Sequence, residues 1–403
     1  MSQQVVMNYA YAIRILAGTL GRQSDSAPPS NPFWRPLLIA DEGHLVEQAI
    51  VDAVAVSIWR GPCDEAGLAP WPKTNDPWAW KAWANDSWAK ISPYENTVTQ
   101  ACDDATEHED QDALVKSTRL FNRVRALRKA IYTTMDVDAN EWAVSHDTKE
   151  ARLRPLWGWS VAQQRLWRHF DRVLLMSATL GDPKDLMKRL DISPEQAVHI
   201  DVPSTFPVQN RPVFYWPVVK INRHSIGADY GTLASAIQHV ANTGILVERK
   251  GLVHTASYKV AHALSGHLVG NPRYVFHTQP QQKEVMIELL KRATWPVVVV
   301  SPSLGTGVNI KEIGWQVIAK VPFGDLGDPV TRLRKEYKRA DDPKFGARNY
   351  DAEAANTVVQ AAGRAVRSPD DIGVTYILDS NWWGLYKRTY SPAFFTEAVK
   401  WIN

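Results

Sequence analysis

The chain has 403 residues, 45% of them hydrophobic and 22% charged, which is enough for two or three domains with separate cores. A net charge of +3 excludes a surface that is basic everywhere, so a nucleic-acid site would have to be local. The two cysteines, Cys63 and Cys102, exclude a disulfide framework and a four-cysteine iron–sulfur cluster within this chain. No apolar run is long enough to span a membrane, and the start does not resemble a signal peptide, so we expect a soluble cytoplasmic protein without a membrane partner.

The first predicted elements are a helix from Val5 to Leu20 and, after a proline-rich loop, a strand at residues 37–40. Two carboxylates, Asp41 and Glu42, follow that strand directly. Ligands of open α/β sheets lie beyond the carboxyl ends of strands, and there Asp41 could hold Mg²⁺ through water. Glu42 could orient an attacking water. The alternative is a solvated, acidic start of a helix.

Residues 45–170 combine aromatic and basic side chains on predicted helices. Five tryptophans fall within residues 71–88, and a later helix carries arginines that include Arg123 and Arg128. Aromatic rings beside arginines could stack on bases and contact the phosphates of a single strand, so Arg123 and Arg128 are candidate nucleic-acid-binding residues. The alternative is that the tryptophans form a small helical core and the arginines form a solvated face.

A second apolar run, at residues 173–176, predicts another buried strand, and it ends in Ser177, Ala178 and Thr179. Hydroxyl groups at this place could transmit a change at a nucleotide site by exchanging hydrogen bonds. The alternative is an ordinary strand-to-helix turn with a serine or threonine cap. The proline-rich segment that follows predicts a linker.

From Tyr230 onward, predicted helices and strands alternate, which favours a doubly wound α/β domain with a parallel sheet. The strand at residues 296–300 leads to Gly305, Thr306 and Gly307, where the backbone could approach a phosphate or a sugar.

The helix predicted from Asp351 to Ala365 carries Gln360, Arg364 and Arg367. The spacing predicts that both arginines face one side of this helix, from which guanidinium groups could stabilise charge on a γ-phosphate. The alternative is a surface helix with scattered arginines, and Gly363, which weakens a helix, argues against it.

The order of these segments resembles motifs II, III, V and VI of superfamily 2 helicases, at residues 41–44, 177–179, 303–309 and 360–367. Residues 8–10 and 317–330 are similar to the XPD/DinG branch, and the resemblance covers nearly the whole chain. It implies a motif IV at residues 255–258. It also implies roles for residues in three groups: catalytic Asp41, Glu42, His44, Gln360, Arg364 and Arg367; coupling Ser177, Ala178, Thr179, Gly305, Thr306, Gly307 and Asn309; nucleic-acid-binding Thr255 and Ser257. For His44 a local helix cap is the alternative.

The chain departs from this family at two places. Where motif V usually has Glu-Gly-x-Asp, this chain has Thr306-Gly307-Val308-Asn309, so both carboxylates are replaced by neutral residues. A P-loop, which would hold phosphates with backbone N–H groups and a lysine, is absent from the sequence; residues 18–22 are glycine-rich but no Lys-Ser/Thr pair follows them.

The resemblance implies an α/β fold with two RecA-like lobes that have parallel sheets, the first of them incomplete. We expect a partial first lobe at residues 1–44 and 171–202, a helical, arch-like insertion at 45–170, a linker at 203–229 and a second lobe at 230–403. Because the strand that carries the P-loop is missing, residues 173–176 should lie on an open edge of the first sheet.

The implied function is that of an ATP-dependent DNA helicase or translocase, as the C-terminal part of a split or truncated enzyme. The expected cofactors are ATP and Mg²⁺, and the expected partners are single-stranded DNA and a separate chain with the P-loop half. The alternative is a catalytically silent remnant that binds DNA or a protein. A structural scaffold has only the 17 tryptophans in its favour.

Overall fold

The computed structural model describes residues 6–18, 34–108, 110–304 and 313–402. The chain divides into two compact units. The first unit comprises residues 1–176, 187–195 and 325–337, and the second comprises residues 177–186, 196–324 and 338–403. No helix among the described residues is long and apolar enough to cross a membrane.

The helices are α1 (Tyr9–Gly18), α2 (Val46–Val54), α3 (Arg60–Glu65), α4 (Pro77–Glu107), α5 (Gln111–Asp136), α6 (Trp159–Arg165), α7 (Pro183–Arg189), α8 (Gly227–Ala241), α9 (Tyr258–Leu268), α10 (Lys283–Arg292), α11 (Pro329–Glu336), α12 (Phe345–Ala362), α13 (Asn381–Arg388) and α14 (Ala393–Thr396). The strands are β1 (Arg35–Asp41), β2 (Val56–Trp59), β3 (Trp142–His146), β4 (Glu150–Pro155), β5 (Phe170–Met176), β6 (Val213–Val219), β7 (Lys250–His254), β8 (Tyr274–Phe276), β9 (Val298–Ser301), β10 (Ile313–Ile318), β11 (Val374–Asp379) and β12 (Val399–Trp401).

The first unit contains a two-stranded parallel sheet of β1 and β5, with Asp41 in register with Met176. Within the described ranges β5 pairs with β1 alone, which is the open edge that the sequence predicts. The exposed fraction of four apolar side chains on these strands is large: 49% for Leu37, 57% for Ile39, 46% for Leu174 and 42% for Met176. This small sheet therefore presents both an unpaired edge and apolar surface.

The insertion has its own core, built around two long helices that pack against each other, α4 and α5. Asp76 and Asp110 begin these helices by accepting backbone N–H bonds from Trp78 and Ala113, as N-cap residues do. Three of the clustered tryptophans, Trp71, Trp80 and Trp83, are buried in that core. Their role is therefore to pack the core, which was the structural alternative. The segment expected to be a helical, arch-like insertion, residues 45–170, also contains an antiparallel sheet of β2, β4 and β3.

The second unit is built on a seven-stranded sheet in the order β12-β6-β11-β10-β7-β9-β8, and every pairing in it is parallel. The prediction of an α/β fold with a parallel sheet is confirmed. β6 lies inside the segment predicted as a linker, 203–229, yet it pairs with β11 and β12. The sheet therefore begins before Tyr230, earlier along the chain than the sequence suggested.

Candidate functional site

Two exposed carboxylates follow β1 in the first unit. The Glu42 backbone N–H donates to Asp41 Oδ1 over 3.0 Å, and the Tyr9 hydroxyl donates to the Asp41 backbone carbonyl. Burial, helped by the nearby charges of Asp41 and Glu42, raises the pKa of Tyr9, which keeps its hydroxyl a donor. Glu42 has a φ of 51° and a ψ of 45°, a left-handed conformation that few non-glycine residues adopt. The strand end and the turn after it are thus fixed by local contacts.

The turn continues through Gly43 and His44. A Cβ on Gly43 would lie 3.0 Å from Leu175 Cβ and 3.2 Å from the Met176 backbone nitrogen, so the turn lies tight against β5. His44 Nδ1 is 3.4 Å from Glu42 Oε2. Burial lowers the pKa of His44, while Glu42 opposes this shift, so the imidazole is neutral at pH 7.

The carboxylate pair suits a magnesium ion that is shared with a phosphate. Mg²⁺ keeps several waters in proteins and is usually bound through one or two carboxylates and the phosphates of the substrate. Asp41 and Glu42 provide such oxygens at the surface. In the parts of the chain that the structure describes, no cluster of three or more His, Cys, Asp and Glu side chains could hold a metal ion. An ion at Asp41 would therefore depend on water and phosphate ligands.

In the second unit, Gln360 contacts the hydroxyl segment 177–179. Gln360 Nε2 donates to Thr179 Oγ1 over 2.8 Å, and Ser177 Oγ accepts the Thr179 backbone N–H over 3.1 Å. Two residues further on, Gly181 has a φ of 80°, and a Cβ there would lie 3.0 Å from Asn356 Nδ2 on α12. Gln360, which was predicted to be catalytic, therefore contacts Thr179, which was predicted to couple nucleotide changes to nucleic acid. Both contacts of this segment are made with α12.

Arg348, which the sequence analysis did not single out, binds the chain a few residues after Thr179, at Asp185. Arg348 on α12 donates to both carboxylate oxygens of Asp185 over 2.7 and 2.6 Å, and it also donates to Asp342 over 3.1 Å. These hydrogen bonds raise the pKa of Arg348, so its charge is permanent. The fork of an arginine suits two carboxylates at once. The residues after Thr179 are held against α12 at two points.

The two arginines predicted to act on phosphate are not on a helix. α12 ends at Ala362, and Gly363 is its C-cap, whose N–H bonds the Val359 carbonyl over 3.1 Å. The expectation of a helix through Ala365 that displays Arg364 and Arg367 on one side was wrong. Glycine has low helix propensity, so the presence of Gly363 is consistent with the end of α12 at Ala362.

Arg364 and Arg367 lie in the irregular segment that follows. Arg364 is half-buried and Arg367 is exposed. The backbone N–H groups of Arg367 and Ser368 both donate to Asp371 Oδ2, over 2.8 and 2.9 Å. A tight carboxylate-centred turn thus shapes the backbone around Arg367.

A buried polar network anchors the end of α12, and sequence reasoning missed it. Gln316 on β10 is completely buried, and its Nε2 donates to the Ala362 carbonyl over 2.8 Å and to Thr375 Oγ1 over 2.9 Å. Its Oε1 lies 3.0 Å from His254 Nε2. Gln316 thereby satisfies a carbonyl at the helix end, two residues before Arg364. The available signal was a lone polar residue within an otherwise apolar strand.

The remaining predicted residues have different placements. Gly305, Thr306, Gly307 and Asn309 lie outside the described residues. Thr255 is fully buried, and its hydroxyl donates to the Ser257 carbonyl over 3.1 Å. Its side chain therefore does not reach the surface, where nucleic acid could bind. Ser257 is the N-cap of α9, with its Oγ accepting the Val260 N–H over 3.4 Å.

The two candidate arginines of the insertion both have carboxylate partners. Arg123 Nη2 donates to both carboxylate oxygens of Glu65, over 2.5 and 2.6 Å. Arg128 Nη1 is 3.0 Å from Glu95 Oε2, and the Arg128 guanidinium lies 5.0 Å from the ring centroid of Trp88. A structural role thus accounts for Arg123, whereas Arg128 belongs to an aromatic and basic cluster.

Comparisons with known proteins identify the C-terminal part and the fold. A family model described as Helicase C-terminal domain matches residues 243–394. Among solved structures, S. tokodaii Xpd4 is 16% identical, with a TM-score of 0.56, over 98% of this chain and 81% of that chain. An apo XPD structure is 12% identical, with a TM-score of 0.50, over 91% of this chain and 77% of that chain. A search among curated proteins found no match.

These matches agree with the resemblance that the motifs indicated, and they support a helicase-like function. At such low identity the likeness to solved structures establishes the fold alone, and the family match shows which segment is similar to a helicase C-terminal domain. Residues 243–394 match the model of a helicase C-terminal domain, and the chain shares its fold with the solved XPD structures over 98% and 91% of its length.

Proposed function

We propose that this chain is part of an ATP-dependent DNA helicase or translocase whose P-loop is carried by a separate chain. The observation that carries the proposal is the β1–β5 pair, which ends in Asp41 and Glu42 and, among the described residues, leaves the other edge of β5 unpaired. A catalytic carboxylate pair beside an open strand edge is expected where a further strand, with the phosphate-binding loop, completes the sheet.

The chemistry of the partner follows from this edge. An unpaired strand offers a row of backbone N–H and C=O groups, which a strand from another chain can satisfy by β-strand addition. The exposed apolar side chains Leu37, Ile39, Leu174 and Met176 share one face of the sheet, and covering that face would require a further element of the partner packed against it. The partner therefore supplies an apolar strand followed by a P-loop.

Each proposed residue has a separate role in ATP hydrolysis. Glu42 would orient the attacking water, and Asp41 would help to hold a magnesium ion. The bound ion would offset the negative charge of the phosphates. Arg364 and Arg367 stabilise charge on the transferring phosphoryl group, an effect of roughly 10³–10⁵ in rate for arginine fingers elsewhere.

The decisive experiment measures phosphate release with single-stranded DNA present. We expect negligible turnover by the pure chain, because no residue in its sequence replaces the phosphate cradle. Turnover should appear when the chain is co-expressed with a P-loop protein encoded next to it. Robust turnover by the pure chain that is lost in Asp41→Ala would show that no separate P-loop chain is needed.

Variants of the reconstituted pair then test the individual roles. Glu42→Gln and Arg364→Ala should abolish hydrolysis but leave nucleotide binding intact, because both groups act on the transition state. Glu107→Gln and Arg292→Ala remove the same charges at exposed positions on α4 and α10 and should have no effect. Normal turnover in Glu42→Gln and Arg364→Ala would make these residues structural. Absence of turnover with every P-loop candidate would favour a silent binding module.

A further inference from the structure

A groove with basic and aromatic walls runs along α5 in the first unit. It has a volume of about 660 Å³, and its wall includes Trp88, Asn122, Arg125, Arg128, Lys129 and Tyr132. The groove residues of α5 recur at helical spacing on the outer side of the helix, while Val124, Leu127 and Ile131 of the same helix are buried in the core of the insertion. The groove is therefore built on a rigid element.

Two aromatic rings are held in place at one end of the groove. The ring centroids of Trp88 and Tyr132 are 5.7 Å apart with an interplanar angle of 51°, and 56% of Tyr132 is exposed. Arg128 lies against the Trp88 ring and is oriented by Glu95, whose side chain is largely buried. The Arg128 Nε–H is buried and has no hydrogen-bond partner among the described residues. The exposed ring of Tyr132 is thus an aromatic surface available to a ligand.

Two further cations lie along the same stripe. Arg125 and Lys129 are exposed, and neither side chain forms an ion pair with any residue that the structure describes. The carboxylate of Glu95 neutralises the charge of Arg128, so the net positive charge of the groove comes from Arg125 and Lys129. An exposed aromatic face next to two uncompensated cations matches the two parts of a nucleotide, its base and its phosphate.

We infer that this groove binds single-stranded nucleic acid, with a base stacked on Tyr132 and neighbouring phosphates on Arg125 and Lys129. The inference rests on the proposed function only for the expectation that single-stranded nucleic acid is the natural ligand. The turns of α5 from Arg125 to Tyr132 span about 10 Å, which at about 3.4 Å per nucleotide corresponds to about three nucleotides. An acidic peptide would satisfy the cations but would leave the aromatic faces without a flat partner.

The test is the binding of fluorescently labelled oligothymidylate to the full chain without nucleotide, measured by anisotropy over a range of salt concentrations. Loss of two phosphate contacts in the double variant Arg125→Ala/Lys129→Ala should reduce the slope of log K against log salt by about 1.4. Tyr132→Ala should weaken binding roughly 5- to 150-fold, as expected for one lost stacking contact. Tyr132→Phe keeps the ring and should bind like the wild type. Arg119→Ala removes an exposed arginine of α5 outside the groove and is the matched control.

Several outcomes would overturn the inference: no binding by the wild type, an unchanged slope in the double variant, or an equal loss in Arg119→Ala. Binding of polyglutamate that depends on Arg125 and Lys129 but not on Tyr132 would assign the groove to an acidic protein instead. An oligouridylate measured in parallel distinguishes RNA from DNA, and the same dependence on the three groove residues with either strand supports the inference. Because hydrolysis is not measured here, normal turnover of the reconstituted pair with no groove binding would refute this inference alone. Intact groove binding without turnover would refute the proposed function alone.

Discussion

Acidification should destabilise the second unit through one buried histidine, His254, at the end of β7. His254 Nε2 donates to Gln316 Oε1, and Gln316 in turn holds the carbonyl of Ala362 at the end of α12. Burial lowers the pKa of His254 from its ordinary value of 6.5 to about 4; the hydrogen bond to Gln316 opposes this shift, and the charge of Arg364 adds to it. At neutral pH the imidazole is therefore uncharged in the folded chain.

The sign and the size of the effect follow from the two pKa values. The unfolded chain binds a proton near pH 6.5, and the folded chain binds it only near pH 4, so the unfolded state holds more protons between these values. The free energy of unfolding is therefore highest, as far as His254 is concerned, above pH 6.5, and it decreases as the pH falls toward 4. Between about pH 7 and about pH 5, such a site lowers the free energy of unfolding by about 2 kcal/mol.

Urea unfolding of the wild type, His254→Asn and His262→Asn at about pH 7 and about pH 5 measures this loss. His262 is an exposed histidine on α9 and serves as the control. Wild type and His262→Asn should each lose about 2 kcal/mol more than His254→Asn over this interval. Each protein is compared with itself at the second pH, so a change in baseline stability does not matter. A His254 imidazole that titrates near pH 6.5 by NMR, or equal losses in all three proteins, would refute the reasoning.

Two further substitutions test how the segments around α12 are held. Arg348→Lys should lower the free energy of unfolding by about 1–2 kcal/mol, because the single ammonium nitrogen of lysine cannot replace the bidentate contact of the guanidinium with Asp185, and the loss is limited because the site is partly exposed. Unchanged stability toward urea would contradict this prediction. Gly373→Ala should reduce ATP turnover of the reconstituted pair, because its Cβ would lie 2.3 Å from Ala365 Cβ and displace the segment that carries the two arginines. Gly266→Ala, where a Cβ meets no atom within 4 Å, is its control, and equal turnover in both variants would show that the segment tolerates the shift.

Elements with a strong hydrophobic pattern could be predicted from the sequence. The run of valines at residues 297–300 predicts a strand buried on both faces, and all four are completely buried in the structure. The runs at 37–40 and 173–176 lie within β1 and β5, but the expectation that these strands are buried was wrong, because among the described residues their sheet has only two strands. Ile13 and Leu16, which share one face of the first predicted helix, are buried, although α1 is shorter than expected.

The errors have identifiable physical causes. Pro217 made residues 213–219 resemble a linker, but the pairing of β6 with β11 shifts register between Tyr215 and Val219, where a proline can be accommodated. Gly363 was interpreted as a functional glycine within a helix, whereas α12 ends one residue earlier, which is consistent with the low helix propensity of glycine. Thr255 was assigned to nucleic acid because of its place in a motif, whereas packing buries it completely. Local residue types did not reveal which hydroxyl groups tertiary contacts would bury.

The polar residues that the sequence left unassigned explain how the predicted ones are positioned. Gln316 fixes the helix end before Arg364, and Arg348 fixes the segment after Thr179. Gln316 contacts three partners and Arg348 contacts two, so replacing either side chain should alter the placement of a predicted functional residue without removing it. Substitutions at Arg364 or Thr179 would remove the side chain that we propose to be functional. Positioning and chemistry are thus carried by different residues on or beside α12, and rate measurements on Gln316 and Arg348 variants at saturating ATP can separate the two.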